Sequence, residues 1–428
     1  MVALKRRAVI TAIGAGLVGA VALAVRPRDK GAPHADYFAR ASKALRAAGI
    51  ATPTMVIDRD RLLVNARQVM RNIDGRLPLR LVAKSLPCMP LLDLLMQTIQ
   101  TRRMMVFNLP YLQQFAAQRG DVDLLLGKPL PVDAAAEFYR SFQGGQFRPQ
   151  RQLQWLVDTP QRLAQYRDLA RAQQVDMRVS LEIDVGLHRG GVDNAQMLQQ
   201  MLSLLREEPR LKWAGMMGYD AHVAKLPLAS LREKALAEAK AIYREYAGIA
   251  TQGLHASGTA DAIVFNAGGS PTYRLHDGSG AANEIALGSA LVKPSDFDTE
   301  LLQDLSPAAF IATPVLKADR RFQMPIGVEI LGDAARAWDV NQEHVYFVYG
   351  GNWMADPVSP AGLATSGLYG NSSNQQALLG SGTQQLQVDD YVFFRPRQSE
   401  SVLQQFGAIA VMEDGRITER WPVMQAMP

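Results

Sequence analysis

The stretch LRLVAKSLP, residues 79–87, sets one lysine at the end of a run that otherwise reads as a buried strand. Leu79, Leu81 and Val82 suit a covered sheet, whereas an ammonium at position 84 is better solvated in water. A lysine held among apolar groups loses hydration and tends to release its proton, which makes it a nucleophile. The ordinary alternative is a lysine leaving a strand end for solvent. What else gathers at the same level of the fold decides between them.

Seven further runs of the same kind follow or accompany it, so that strands are expected over 79–84, 103–108, 122–127, 153–158, 177–185, 211–219, 262–267 and 284–291. Helical stretches lie between them, among them PLLDLLMQTIQ (90–100), NAQMLQQMLSLLREE (194–208) and LASLREKALAEAKAIYREYAG (228–248). The runs are apolar almost throughout, as in a parallel sheet covered on both faces. Eight such strands, each followed by a helix, predict an α/β fold with a (β/α)8 barrel over residues 50–295. After residue 300 the texture changes to short β-type runs separated by Gly, Pro, Asn and Asp, with no long helical period. This reads as a C-terminal all-β domain over 300–428. Residues 26–36 read as a linker, 37–49 as a short amphipathic helix and 366–384 as a polar loop.

In such a barrel, chemistry belongs at the C-terminal ends of the strands. Lys84 closes the first run. Asp158 closes the fourth and, standing before Thr159-Pro160, is read as the N-cap of the next helix. The fifth leads into EIDVGLHRGGV (182–192), with His188 and Arg189 past its end, and the sixth into GYDAHVA (218–224), with Tyr219 and His222. The seventh leads into NAGGSPTY (266–273), where Gly268 and Gly269 allow close backbone approach and Ser270 and Thr272 add hydroxyls. Such a loop suits a phosphate dianion, and barrels often build phosphate sites after strands seven and eight. A nucleophilic lysine facing a phosphate loop is what pyridoxal phosphate requires. Singly, the residues keep bland readings: His188 and His222 as satisfied strand-end histidines, Tyr219 as barrel packing.

Taken in order, TPTMVID, LRLVAKS, IDVGLHRGGV, GYDAHV, NAGGSPTY and NEIALGS resemble the motifs of fold-type III pyridoxal phosphate enzymes. The nearer likeness is to the D-threonine aldolase and D-serine dehydratase branch, whose barrel is similar to that of alanine racemase. The resemblance runs from about residue 50 to the C-terminus, where VDDYVFFRP and GRITERWPV match the β-domain. It implies that Lys84 bonds to the cofactor aldehyde, that residues 268–272 cradle the phosphate, and that Arg189 orients cofactor or substrate carboxylate. Tyr219 would stand beside the cofactor ring and His222 would line the same wall. It also implies a homodimer.

One departure bears on the reaction. Metal-dependent members carry a His-x-Cys pair after a motif like RP, whereas this chain reads RPRQSES (395–401), with Gln398 and Glu400 in those places. An amide and one carboxylate make a poor zinc site, because Zn²⁺ favours imidazole and thiolate. The resemblance implies a lyase working on a D-amino acid, by aldol cleavage or dehydration, and the departure implies that it works without the usual zinc. A weaker divalent ion at Glu400, an amino-acid racemase, a non-catalytic pyridoxal phosphate carrier and a barrel with no cofactor remain as alternatives.

The bulk numbers fit an enzyme of this size. At 428 residues the chain exceeds one ordinary core, and 48% hydrophobic with 20% charged residues is globular composition. The net charge of +5 is not gathered into a basic, aromatic-rich tract, so nucleic-acid binding is not indicated. Cys88, the only cysteine, excludes an intrachain disulfide and a Cys-rich metal site. Lys5, Arg6 and Arg7 precede an uncharged apolar run over 8–25, followed by Arg26 and Arg28. Residues 1–34 are thus expected to be an export signal, of twin-arginine type, or an N-terminal anchor plus linker, placing the protein in the periplasm or on the inner membrane.

Overall fold

The computed structural model describes residues 26–254, 263–368 and 370–425. Residues 1–25, which carry the expected export signal, lie outside the described residues. Among the described residues, no helix is long and apolar enough to cross a membrane. The chain forms two compact units, one of residues 55–309 with 396–414 and 418–425, the other of residues 26–54, 310–395 and 415–417.

The first unit is a closed barrel of eight parallel strands in sequence order: β1 (Leu79–Val82), β2 (Arg103–Val106), β3 (Asp123–Leu126), β4 (Leu153–Val157), β5 (Met177–Ile183), β6 (Leu211–Gly218), β7 (Val264–Ala267) and β8 (Glu284–Leu287). The ring closes where β1 pairs with β8, Leu79 opposite Ile285 and Leu81 opposite Leu287. The helices between strands form where apolar side chains recur at helical spacing. Leu198, Met201, Leu202 and Leu205 bury one stripe of the helix Ala195–Glu207, which Asn194 caps by accepting from the Met197 amide at 2.8 Å. The helix Pro160–Gln173 corrects the reading of Asp158: its N-cap is Thr159, whose hydroxyl accepts from the Arg162 amide at 3.2 Å. Asp158 is left at the barrel end.

The barrel interior corrects the picture of apolar strands. Alternate residues point inward, and the lowest inward layer is ionic. Arg80 is fully buried, with Nε 2.6 Å from Glu284 and a terminal nitrogen 2.6 Å from Asp123. Glu284 also accepts from Arg103 at 2.7 Å and from Asn266 at 2.8 Å. Burial alone would lower the affinity of Arg80 for its proton, but the carboxylates of Glu284 and Asp123 outweigh it and hold the guanidinium well above its usual range.

The chain re-enters this unit after residue 395. There the short helix Ser399–Leu403 precedes a strand, Ala408–Glu413, that pairs in parallel with Thr54–Asp58 through Met55–Ile409 and Ile57–Val411. Gln398 and Glu400 therefore belong to the barrel unit.

The second unit is a sheet whose strands run in the spatial order Ala364–Thr365, Gln375–Gly380, His344–Tyr349, Ala309–Arg321, Tyr391–Pro396, Ala355–Ser359. Phe38, from the helix Asp36–Ala47, packs on Phe310 and Phe393 with centroids 5.1 and 4.9 Å away. Two expectations change here. Residues 26–36 are a strap on this unit rather than a free linker: Arg26 donates to the Trp338 carbonyl, Asn341 bonds Arg28 and Lys30, and Asp29 accepts from Thr383. The unit also contains a helix, Glu329–Trp338, with an acidic first turn and Arg336 in its last. Its Ile330, Leu331 and Trp338 are exposed, so its period is not the mark of a buried face.

Candidate active site

At the C-terminal end of the barrel, the inward-facing residues open into a cavity of about 520 Å³, lined by Val82, Lys84, Phe107, Tyr219, Asn266 and Gly268, among others. Val82 follows the same alternation that puts Arg80 below, whereas Lys84 and its neighbour Ser85 both reach the cavity from beyond the strand. The ladder stops at Val82, and Lys84 sits in a short 3-10 turn, Ala83–Ser85, beyond it.

Lys84 does not meet the expectation of a dehydrated amine. Its side chain is 38% exposed; Nζ stands 3.4 Å from Glu400 Oε1 and 4.6 Å from the centre of the Phe107 ring. The second oxygen of Glu400 accepts from the Ser85 hydroxyl at 3.3 Å. The lysine is held at the cavity by a carboxylate and an aromatic face.

The loop after β7 faces the same cavity through Gly268, Gly269, Ser270 and Pro271. Gly268 has φ +71°, the left-handed region, and a Cβ there would press on His276. At Gly269 a Cβ would collide with the Tyr219 ring. Ser270 Oγ accepts from the amides of Gly288 and Ala290, at 3.2 and 3.1 Å, which leaves its O–H to donate. Thr272 differs from its expected part. It is fully buried and its hydroxyl donates to Asp220 at 2.6 Å, so it braces the loop rather than facing the cavity.

Asp220 is the residue that sequence reading passed over here. It is bonded to His276 Nε2 at 2.8 Å as well as to Thr272, and so ties the end of β6 to the loop. Burial acts to raise its carboxyl, but hydrogen bonds from His276 and Thr272 outweigh that and hold it below the usual range. A carboxylate directly after the inward Tyr219 was the available signal, obscured because neighbours along a strand end face opposite sides. Glu182, inward on β5, was passed over too: burial pushes it up to about 7, Arg189 lowering and Asp158 adding to the shift.

The Arg189 guanidinium lies 4.9 Å from the centre of the Tyr219 ring, and both line the cavity. Burial raises the Tyr219 phenol, with Arg189 opposing. His222 is not among the lining residues. It stands against Gly186, and its buried Nδ1 has no hydrogen-bond partner among the described residues. His188 is largely exposed and pairs with Asp184 at 2.9 Å. Gln398 and Glu400 line the cavity together with Asp296, to which Gln398 donates at 3.3 Å.

Pyridoxal phosphate fits this site on its own terms. The cavity has the size of a ligand site, an amine reaches into it, and a loop shaped by two obligatory glycines and a free hydroxyl faces it. Residues 57–295, more than half of the chain, match the family model described as alanine racemase, N-terminal domain. The chain belongs to that family and is a fold-type III pyridoxal phosphate enzyme. No protein of curated function matches it by sequence. Among solved structures it is similar to D-threonine aldolase from Filomicrobium marinum, at 16% identity and TM-score 0.70, over 93% of this chain and 98% of the other. It is also similar to D-threo-3-hydroxyaspartate dehydratase from Delftia sp. HT23 (18%, 0.63, 88% and 98%) and to alanine racemase from Bacillus anthracis (13%, 0.64, 87% and 98%).

Gly269→Ala is expected to weaken pyridoxal phosphate binding at least roughly tenfold, because the new methyl must displace either the loop or Tyr219. Gly248→Ala, in open space on the helix Ala229–Leu254, is the control that should bind normally. Absorbance of retained cofactor after dialysis measures both; equal retention would contradict the loop assignment.

Proposed function

We propose that the protein is a lyase acting on a D-amino acid that carries a β-hydroxyl, by aldol cleavage or dehydration. The observation that carries this reading is the meeting of Lys84 and the Gly268–Ser270 loop at one cavity mouth. The fold is shared with D-threonine aldolase and with alanine racemase alike, so the choice of lyase over racemase chemistry is the reading that the screen below tests. Lys84 would bond to the cofactor aldehyde. Ser270 and the backbone at Gly268 and Gly269 would hold the phosphate, and Tyr219 and Arg189 would stand by the ring and the substrate carboxylate. When bound, pyridoxal phosphate supplies an electron sink that acidifies the Cα–H of an attached amino acid. Lys84 Nζ, steadied by Glu400, is the base placed to take a proton there.

The reading includes function without zinc. Gln398 uses its amide N–H on Asp296, and Glu400 is engaged by Lys84 and Ser85, a donor set unsuited to Zn²⁺. It includes pairing into a homodimer and export through the N-terminal segment to the periplasm or the inner membrane. The test is a screen of D-threonine, D-serine and D-threo-3-hydroxyaspartate for aldehyde, keto acid and inverted product, with and without chelator. Aldehyde or keto acid formation that survives chelation is the expected result. Inversion alone would make the protein a racemase, and no turnover with cofactor retained would make it a carrier. Loss of activity on chelation would overturn the zinc-free reading.

A further inference from the structure

Resting on the export reading and going beyond it, we propose that the helix Glu329–Trp338 of the second unit docks on a lipid bilayer, its apolar face entering the interface. The helix is amphipathic, but it is packed with its apolar side outward. At helical spacing Ile330, Leu331, Ala334 and Trp338 share one stripe, while Glu329, Gly332, Asp333 and Arg336 share the other side. The second side is the one that meets the unit. Gly332 is buried, where a Cβ would press on Met324, and Arg336 donates to the Phe322 carbonyl and to Asp333. The apolar stripe is left in solvent, Ile330 at 78% exposure and Leu331 at 56%, and the segment before the helix adds Ile326 at 97%. Apolar side chains gathered in this way mark an interaction surface.

The occupant follows from where the chain arrives. Arg26 Nε donates to the Trp338 carbonyl at 3.1 Å, and Asn341, just past the helix, holds the backbone of Arg28 and Lys30. The uncharged run 8–25 therefore joins this unit at the C-terminal end of the helix. Eighteen such residues are enough to cross the hydrocarbon of a bilayer, and Thr11 is their only polar side chain. If the run merely covered the stripe, most of its own apolar surface would stay in water, whereas a bilayer takes both. The flanking groups suit a headgroup layer. Arg26, Arg28 and Lys30 are exposed cations, which meet anionic lipid, and Trp338 is of the aromatic type favoured at that depth.

The test uses the full chain, reconstituted into vesicles of phosphatidylethanolamine and phosphatidylglycerol. A nitrobenzoxadiazole probe is placed on Ile330→Cys or, as the opposite-face control, on Glu329→Cys. Cys88 is buried and its thiol pushed up to about 12, so it stays unlabelled. Both replaced side chains are exposed, and retained cofactor colour shows that the variants are folded. Doxyl-labelled lipid is expected to quench the Ile330→Cys probe at least about threefold more than the control. Equal quenching of the two probes, in protein that floats with the vesicles, overturns the docking and leaves the export reading intact. An Ile330→Cys probe shielded from aqueous iodide yet untouched by doxyl lipid means that a second copy or residues 8–25 cover the face, which also overturns it. Protein that does not float with the vesicles overturns the docking together with membrane retention.

Discussion

Lys84→Ala protein, incubated with pyridoxal phosphate and dialysed, is expected to lose its colour and at least about a thousandfold in activity. The reason lies in one atom: Lys84 Nζ is the amine that enters the cavity beside the Gly268–Ser270 loop. Folding should survive, because the side chain is 38% exposed and its pairing with Glu400 is open to solvent. The expected change in stability is within about 1 kcal/mol. Borohydride treatment followed by peptide mapping gives an independent readout, since the wild type should carry the reduced cofactor on the peptide containing Lys84. A variant that keeps a covalently attached chromophore would move the site to another residue.

Glu284→Ala should be the most damaging single change to the fold. Its fully buried carboxylate accepts from Arg80 at 2.6 and 3.0 Å, from Arg103 at 2.7 Å and from Asn266 at 2.8 Å. Removing it leaves Arg80 buried with Asp123 as its remaining carboxylate partner, a loss of about 3–5 kcal/mol. That is a large part of the roughly 5–15 kcal/mol that stabilises a domain, and a Tm lower by about 10 °C or insoluble protein is expected. Glu284→Gln keeps hydrogen-bonding groups in place and should fall between the two. Arg103→Ala, with its side chain 40% exposed, should cost less than about 1 kcal/mol. Thermal melts of the three variants would rank them; equal Tm values would show the ionic layer to be without energetic weight. The effect reaches the site as well, because Asn266 bonds Glu284 below and lines the cavity above.

These two residues mark how far the sequence could be read. Lys84 stood out because an ammonium closes an apolar run, and the turn Ala83–Ser85 after the strand brings it to the cavity. Arg80 lies in the same run and was passed over, since its burial is tolerable only with Glu284 and Asp123, 204 and 43 positions away. The eight strands were legible because parallel strands covered on both faces carry continuous apolar runs, although every strand but the seventh ends a little before its run does. The helix Glu329–Trp338 was not, because its apolar residues are not gathered into a core.

The phosphate loop was half legible. Glycines and hydroxyls are visible in GGSPT, but the same composition serves two ends. Ser270 faces the cavity, while Thr272 turns inward to Asp220. Spacing cannot distinguish them, because the difference arises from a partner at the end of another strand. His222, which the resemblance put on the cavity wall, stands against Gly186, and it is His276 that reaches Asp220 from beyond the loop.

Local chemistry in the chain determined the barrel, the lysine at its mouth and the glycine turn opposite, since each rests on residues within a few positions of one another. Only the tertiary structure decided what surrounds that lysine. The chain returns to the barrel unit after residue 395 and brings Glu400 to Lys84, a contact across 316 positions. Long-range contacts of this kind leave no periodic trace along the chain. They exist because packing closes a loop whose entropic cost grows only slowly with its length.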